Sequence, residues 1–318
     1  MAYGHLIRRL SPGLRKALVK DYGLPVKVLD DGYLDKYVDD LLPHYDWEYA
    51  VKAMLEGVES MGEFPFLKMA KAAPLAVAEE IKQTDAFKEF NEQGGYSSPA
   101  RNPLQGQKVS HDPYHPDNDG RLLLSLDIRQ ANFSVLRWRF PELVNNQEDY
   151  DDFIRDYYDF DYIADCNRIR QVLFGNLNPK RQRKLIRDVT YAVLESLMGA
   201  GICGPQQVAS LSEDEIVLHP VGDSIERTKK HLKHLSESIF EGIEFKPSAF
   251  MLRRLPDSSC YWKLHEGGRI ELRKTPGHLF MQAFKTVTGQ KILERDRTFV
   301  FEGELAVLLK KQKWGTFT

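Results

Sequence analysis

Acidic residues placed where strands end are the chemistry-bearing feature of this chain. Asp127 closes the apolar run Leu122-Leu-Leu-Ser-Leu126, which is bounded by the turn Asp117-Asn-Asp-Gly120 and passes into Ala131, Val135 and Leu136 at helical spacing. A short apolar run between turn signals has the pattern of a buried central strand. Glu213, Asp214 and Glu215 lie between two further apolar runs, 207–211 and 216–219, which read as a β-hairpin with acids at its tip. A carboxylate at the edge of a core is costly unless a cation or hydrogen bonds compensate it. Asp127 can meet that need as a helix N-cap, or as a metal ligand if the fold brings a second carboxylate alongside. Paired carboxylates raise each other's pKa until a divalent cation comes between them. Mg2+ (or Mn2+) on hard oxygen ligands is the usual solution for nucleotidyl transfer, where one ion activates a 3′-hydroxyl and another stabilises pyrophosphate.

The elements that must position these acids follow one another from Leu122 as strand, helices, hairpin, helix and strand. This is the order of a split βαβ, ferredoxin-like antiparallel sheet with helices on one face. In that topology the first strand adjoins the hairpin, so Asp127 is expected beside the 213–215 tip. Helices are expected near 129–139, 147–158, 160–174, 179–198, 224–240, 277–287 and 303–312, and strands near 243–254, 259–265, 269–274 and 298–301. Asn178-Pro179 is a helix start with Pro at the first position. Residues 1–95 read as a helical N-terminal region, with segments near 12–20, 33–42, 47–62, 64–83 and 85–92, breaks at Gly23-Leu-Pro25, Pro43 and Gly62, and Asp46 as a cap. No chemistry is evident there. Residues 96–120, rich in Gly, Ser, Pro, Asn and Asp, read as a linker or long loop. The expected class is therefore α+β.

Leu126-Asp-Ile-Arg-Gln-Ala-Asn-Phe-Ser-Val-Leu136 resembles the first palm motif of family B DNA polymerases, a strand-end Asp followed by Ser-Leu-Tyr-Pro-Ser. Val208-Ala-Ser-Leu-Ser-Glu-Asp-Glu-Ile-Val-Leu218 is similar to the other palm motif, in the His-Asp-Glu form of family A. Glu195-Ser-Leu-Met-Gly199 is similar to the Asn-Ser-x-Tyr-Gly of the fingers helix, and the three come in the polymerase order. The resemblance spans about 100 residues. It implies a palm-like catalytic domain over 121–318 with a short fingers insertion at about 140–200, Asp127 and Asp214 as catalytic metal ligands with Glu213, and Ser134 at the second motif serine. The activity implied is addition of nucleotides from a nucleoside triphosphate to the 3′-hydroxyl of a nucleic acid, DNA or RNA. Asn132 stands where that family has a tyrosine that excludes the ribose 2′-hydroxyl, and Met198 replaces a second tyrosine. The nucleotide-gripping lysine of that family has no counterpart in register, Lys184 and Arg187 lying a few residues too early, and no exonuclease region precedes the palm.

A net charge of −2 gives no global electrostatic case for nucleic acid. The case is local: Arg168, Arg170, Lys180, Arg181, Arg183, Lys184 and Arg187 cluster, and Arg183, Lys184 and Arg187 are the candidates for holding a triphosphate. The bland counterpart is a solvated helix face. Arg253 and Arg254 with Trp262 are a candidate surface for tracking a strand. The competing readings are a non-catalytic α+β module that binds nucleic acid or protein, and a metal-dependent nuclease built on Asp257, Glu271 and Lys274, although residues three apart on a strand face opposite ways. The pair His111 and His115 is interrupted by Pro113, which argues against a helical metal site. Cys166, Cys203 and Cys260 have no metal or disulfide spacing. No run approaches a membrane span, and an intracellular location, cytoplasm or nucleus, is expected, with the helical N-terminal region left for protein partners.

Overall fold

The run Leu122–Ile128 forms strand β1, with Leu123, Leu124, Leu126 and Ile128 buried. In the computed structural model, which describes residues 4–23, 37, 40–41, 44, 47–92 and 101–308, β1 is the third strand of a six-stranded sheet. The class is α+β, with a helical N-terminal region: α1 Gly4–Arg8, α2 Pro12–Asp21, α3 Trp47–Met61, α4 Glu63–Lys82 and α5 Asp85–Glu92. After β1 come α6 Ala131–Arg139, α7 Tyr150–Arg155, α8 Asp161–Asp165, α9 Asn167–Gly175 and α10 Pro179–Gly199. The hairpin β2 Val208–Leu211 and β3 Glu215–Leu218 leads into α11 Ser224–Ser238, then β4 Phe245–Arg254, β5 Tyr261–His265 and β6 Ile270–Arg273. The chain continues through α12 Phe280–Val287, β7 Thr298–Phe301 and β8 Glu304–Val307. Most of the helix expected over 33–42, the breaks at 24–25 and Pro43, the Asp46 cap, residues 96–100 of the linker and residues 309–312 lie outside the described residues.

The strand order is β2-β3-β1-β4-β5-β6, and β1 pairs antiparallel with both β3 and β4. Each long connection returns one position away: β1 and β2 are separated by β3, and β3 and β4 by β1. The chain forms two compact units, one of Met1–Lys71, Phe160–Ile169 and Leu252–Thr318, the other of Ala72–Asp159 and Arg170–Met251. Neither begins or ends within 96–120, the boundary expected from the sequence. Residues 101–120 belong to the second unit, and Ser110 there forms a parallel bridge with Ser210 at the β2 edge.

In the second unit the helices between β1 and β2 bury a cluster of rings. Phe133, Tyr150, Phe153 and Phe174 have centroids 6.0 to 6.5 Å apart. α10 begins on Asn178, whose side chain accepts the Arg181 N–H, with Pro179 at the first helical position. It is tied to α11 by the 2.8 Å hydrogen bond between Ser196 and His231.

In the first unit, α2 starts on Ser11, which accepts the Leu14 N–H and donates to Glu63 at 2.5 Å. Gly57 on α3 faces the Phe66 ring of α4 so closely that a Cβ there would lie 2.3 Å from a ring carbon. Phe66 is fully buried and cannot retreat, so Gly57→Ala is expected to cost roughly 1–3 kcal/mol, measured by urea denaturation, whereas a neutral result would mean that the two helices separate freely. Asp296, also in this unit, is buried with Lys285 at 3.2 Å and accepts the Tyr37 hydroxyl and the Leu293 N–H, so the remaining lone pairs of a buried charge are satisfied.

Two expected helices are corrected. The helix expected over 160–174 is interrupted at Cys166, whose ψ of 108° is extended. There Tyr162 and Cys166 both bond to Asp21, through its carboxylate and its carbonyl. The segment expected as a helix over 303–312 carries instead β8, paired with β7. Glu302 and Gly303 between them have φ of 50° and 88°, the two left-handed positions of a tight hairpin turn. Among the described residues no helix is long and apolar enough to cross a membrane, and the three cysteines are free and buried.

Candidate functional site

The register of the second unit's sheet places charged residues side by side at one end of β1. Asp127 is directly opposite Glu215 on β3 and directly opposite Lys246 on β4. The Ile128 N–H reaches the Asp214 carbonyl at 3.4 Å, so the hairpin tip stays joined to β1 one step past Asp127. Directly opposed residues of an antiparallel pair project to the same face, with Cα atoms about 4.5–5.5 Å apart. Asp127, Glu215 and Lys246 therefore share a face with Ser125, two residues back on β1.

The acidic neighbours of Asp127 are held by their surroundings. The Ser125 hydroxyl donates to Glu215 Oε1 at 2.5 Å and draws that carboxylate back along β1. In the turn, Ser212 donates to Asp214 Oδ1 at 3.1 Å and accepts the Glu215 N–H at 3.0 Å. From α10, the Thr190 hydroxyl lies 2.8 Å from the Glu213 carbonyl and 3.0 Å from that of Ile186, which fixes the tip to the helix. Asp127 itself reaches solvent, yet its carboxyl is pushed up to about 6 by the desolvating strand ends and then by the Asp214 and Glu215 charges, against the pull of Lys246 and of the Ile128 N–H.

That shift sets a direction. A carboxyl in an unfolded chain titrates near 4, so the folded protein takes up a proton at Asp127 that the unfolded chain releases. Folding is favoured at Asp127 at low pH and loses that advantage as pH rises through about 6. Asp127→Asn removes the repulsion, so it is expected to raise stability at pH 8 by about 1 kcal/mol, a modest figure because the group is solvent-screened. At pH 4 the variant and the wild type are expected to converge. Thermal melts at the two pH values test this, and an equal difference at both would contradict it.

The other expected site residues fall as follows. Glu213 lies in the turn before β3, and Glu215, outside the expected ligand set, is the register partner of Asp127. Ser134 is buried and donates to the Arg129 carbonyl at 2.6 Å, so it shapes the β1–α6 turn. On α10, Arg183 and Arg187 lie seven and three residues before Thr190 and hence on its side of the helix, while Lys184, six before, is about 120° round. Arg181 packs over the Phe90 ring, Arg170 over Tyr150, and Arg168 lies 3.6 Å from Asp21. These three are committed to internal contacts, which leaves Arg183 and Arg187 as the basic residues on the tip side of α10.

The nuclease trio is in the first unit. Asp257 lies in the β4–β5 connection and Lys274 one residue past β6. Glu271, which burial would raise, is drawn down to about 2 by its hydrogen bond to His265 and by Arg273 and Lys263, so it is already engaged within the sheet. Trp262, expected as a stacking surface, packs against Leu255, Cys260 and Ala283. Lys246 was missed because a lysine early in a strand carries no signal until the register is known.

No group of three or more His, Cys, Asp or Glu side chains arranged to hold a metal occurs among the described residues. Magnesium is commonly bound by one or two carboxylates together with substrate phosphates, not in an all-protein cage. Asp127 and Asp214, with like charges crowded at a strand end, suit that shared coordination. No family model, curated protein or solved structure matches the chain.

Proposed function

We propose that residues 121–251 form a palm-like centre that transfers a nucleotide from a nucleoside triphosphate to the 3′-hydroxyl of a DNA or RNA strand, with Mg2+ or Mn2+ as cofactor, inside the cell. The observation that carries this reading is the β1–β3 register, by which the Asp127 strand end adjoins the Asp214 turn. The strand order β2-β3-β1-β4 supports it as well, being the order a split βαβ sheet has.

Asp127 and Asp214 would hold the divalent ion, which when bound supplies Lewis-acid stabilisation of the charge that builds on the phosphoryl oxygens. Arg183 and Arg187 orient the triphosphate by charge-assisted bonds. Ser125 keeps Glu215 turned back, so that the two ligand carboxylates face the substrate without a third competing for it. Thr190 and Ser212 are positioning residues, fixing the turn that carries Asp214. The test is magnesium-dependent nucleotide incorporation by the full chain and by its Asp127→Asn and Asp214→Asn variants. A binding-only module would show no turnover with any nucleotide and unchanged nucleic-acid binding in both variants.

A further inference from the structure

Lys246 is exposed and stands opposite Asp127 across the β1–β4 pair, as Glu215 does across β1–β3. An ammonium and the Asp127 carboxylate, one of the two proposed ligands, thus share one end of one sheet face, with the Glu215 carboxylate beside them. Pro247 follows it, and Lys246 contributes nothing to the buried core. Its charge acts on Asp127 in the sense opposite to Asp214 and Glu215. The same ammonium repels a free divalent cation approaching those carboxylates and attracts the polyphosphate of a nucleotide. A four-carbon stem lets it reach toward a phosphate oxygen.

We infer that Lys246 makes the site discriminate between free divalent ion and ion already complexed to a triphosphate, disfavouring the first and favouring the second. This rests on the metal–nucleotide reading of Asp127 and Asp214. With a charge removed a few ångströms from the ion, the effect on free-ion affinity is roughly tenfold.

The experiment measures Mn2+ binding to the full chain by electron paramagnetic resonance, alone and with a triphosphate whose α–β bridge is methylene. Wild type, Lys246→Met, Lys246→Arg and Asp127→Asn are compared. The expected result is that Lys246→Met binds free Mn2+ about tenfold more tightly and gains less from the triphosphate than wild type, while Lys246→Arg behaves as wild type. If Lys246→Met leaves the free-ion affinity unchanged while Asp127→Asn abolishes it, the role of Lys246 is overturned and the carboxylate site stands. If Mn2+ binding is indifferent to Asp127→Asn, both are overturned.

Discussion

Asp127→Asn and Asp214→Asn are each expected to lower magnesium-dependent nucleotide incorporation by about a thousandfold or more, equivalent to at least ~4 kcal/mol of transition-state stabilisation. Asparagine keeps the shape of the side chain and removes the charge, so the strand end and the turn should persist. The Ser212 contact to Asp214 and the backbone contact from Ile128 to the tip do not need a charged carboxylate. Circular dichroism should therefore be unchanged while turnover vanishes. Glu213→Gln should lose far less, because Asp214 and Glu215 are the acids whose charges act on Asp127. Loss of activity with loss of fold would say nothing about chemistry, and so the stability gain expected for Asp127→Asn at pH 8 is the companion readout. A centre built for function carries like charges that its own stability would be better without.

Phe174→Ala is expected to destabilise the second unit by about 3–5 kcal/mol. Phe174 is fully buried and its ring lies within 6.5 Å of the Phe133, Tyr150 and Phe153 rings, so the void it leaves is lined by rigid groups that cannot collapse into it. Phe133 belongs to α6, directly after β1, and the loss should also loosen the support of the Asp127 strand end. Urea denaturation together with hydrogen exchange at residues 122–128 measures both effects. A cost below about 1 kcal/mol would mean that the aromatic cluster repacks.

The strand-end Asp127 and the acidic hairpin were legible because both depend on local signals: an apolar run, a turn, and residues at period two. Their adjacency followed from element order, since a strand, a hairpin and a last strand joined by helices put the first strand beside the hairpin. Which acid faces Asp127 was not legible. It depends on where the turn ends and the ladder begins, and a shift of one residue exchanges the faces. β3 begins at Glu215, and this makes Glu215 the register partner of Asp127, although the expected ligand set was Asp127, Asp214 and Glu213. Lys246 and Thr190 were invisible for a related reason, each acquiring its meaning from a contact with a residue far away in sequence. The β7–β8 hairpin was missed because Glu304-Leu-Ala-Val-Leu308 has helical propensity, and only the paired left-handed conformations of Glu302 and Gly303 turn it back on β7.

The central claim is that one divalent ion is held jointly by the end of β1 and the β2–β3 turn. It is tested most directly by replacing Mg2+ with Fe2+ in the presence of a nucleoside triphosphate, generating hydroxyl radicals at the bound iron with ascorbate and peroxide, and mapping backbone cleavage by mass spectrometry. Cuts at both 127–129 and 213–215, absent in Asp127→Asn, are the result predicted. Cleavage elsewhere, or cleavage at one segment without the other, would contradict it.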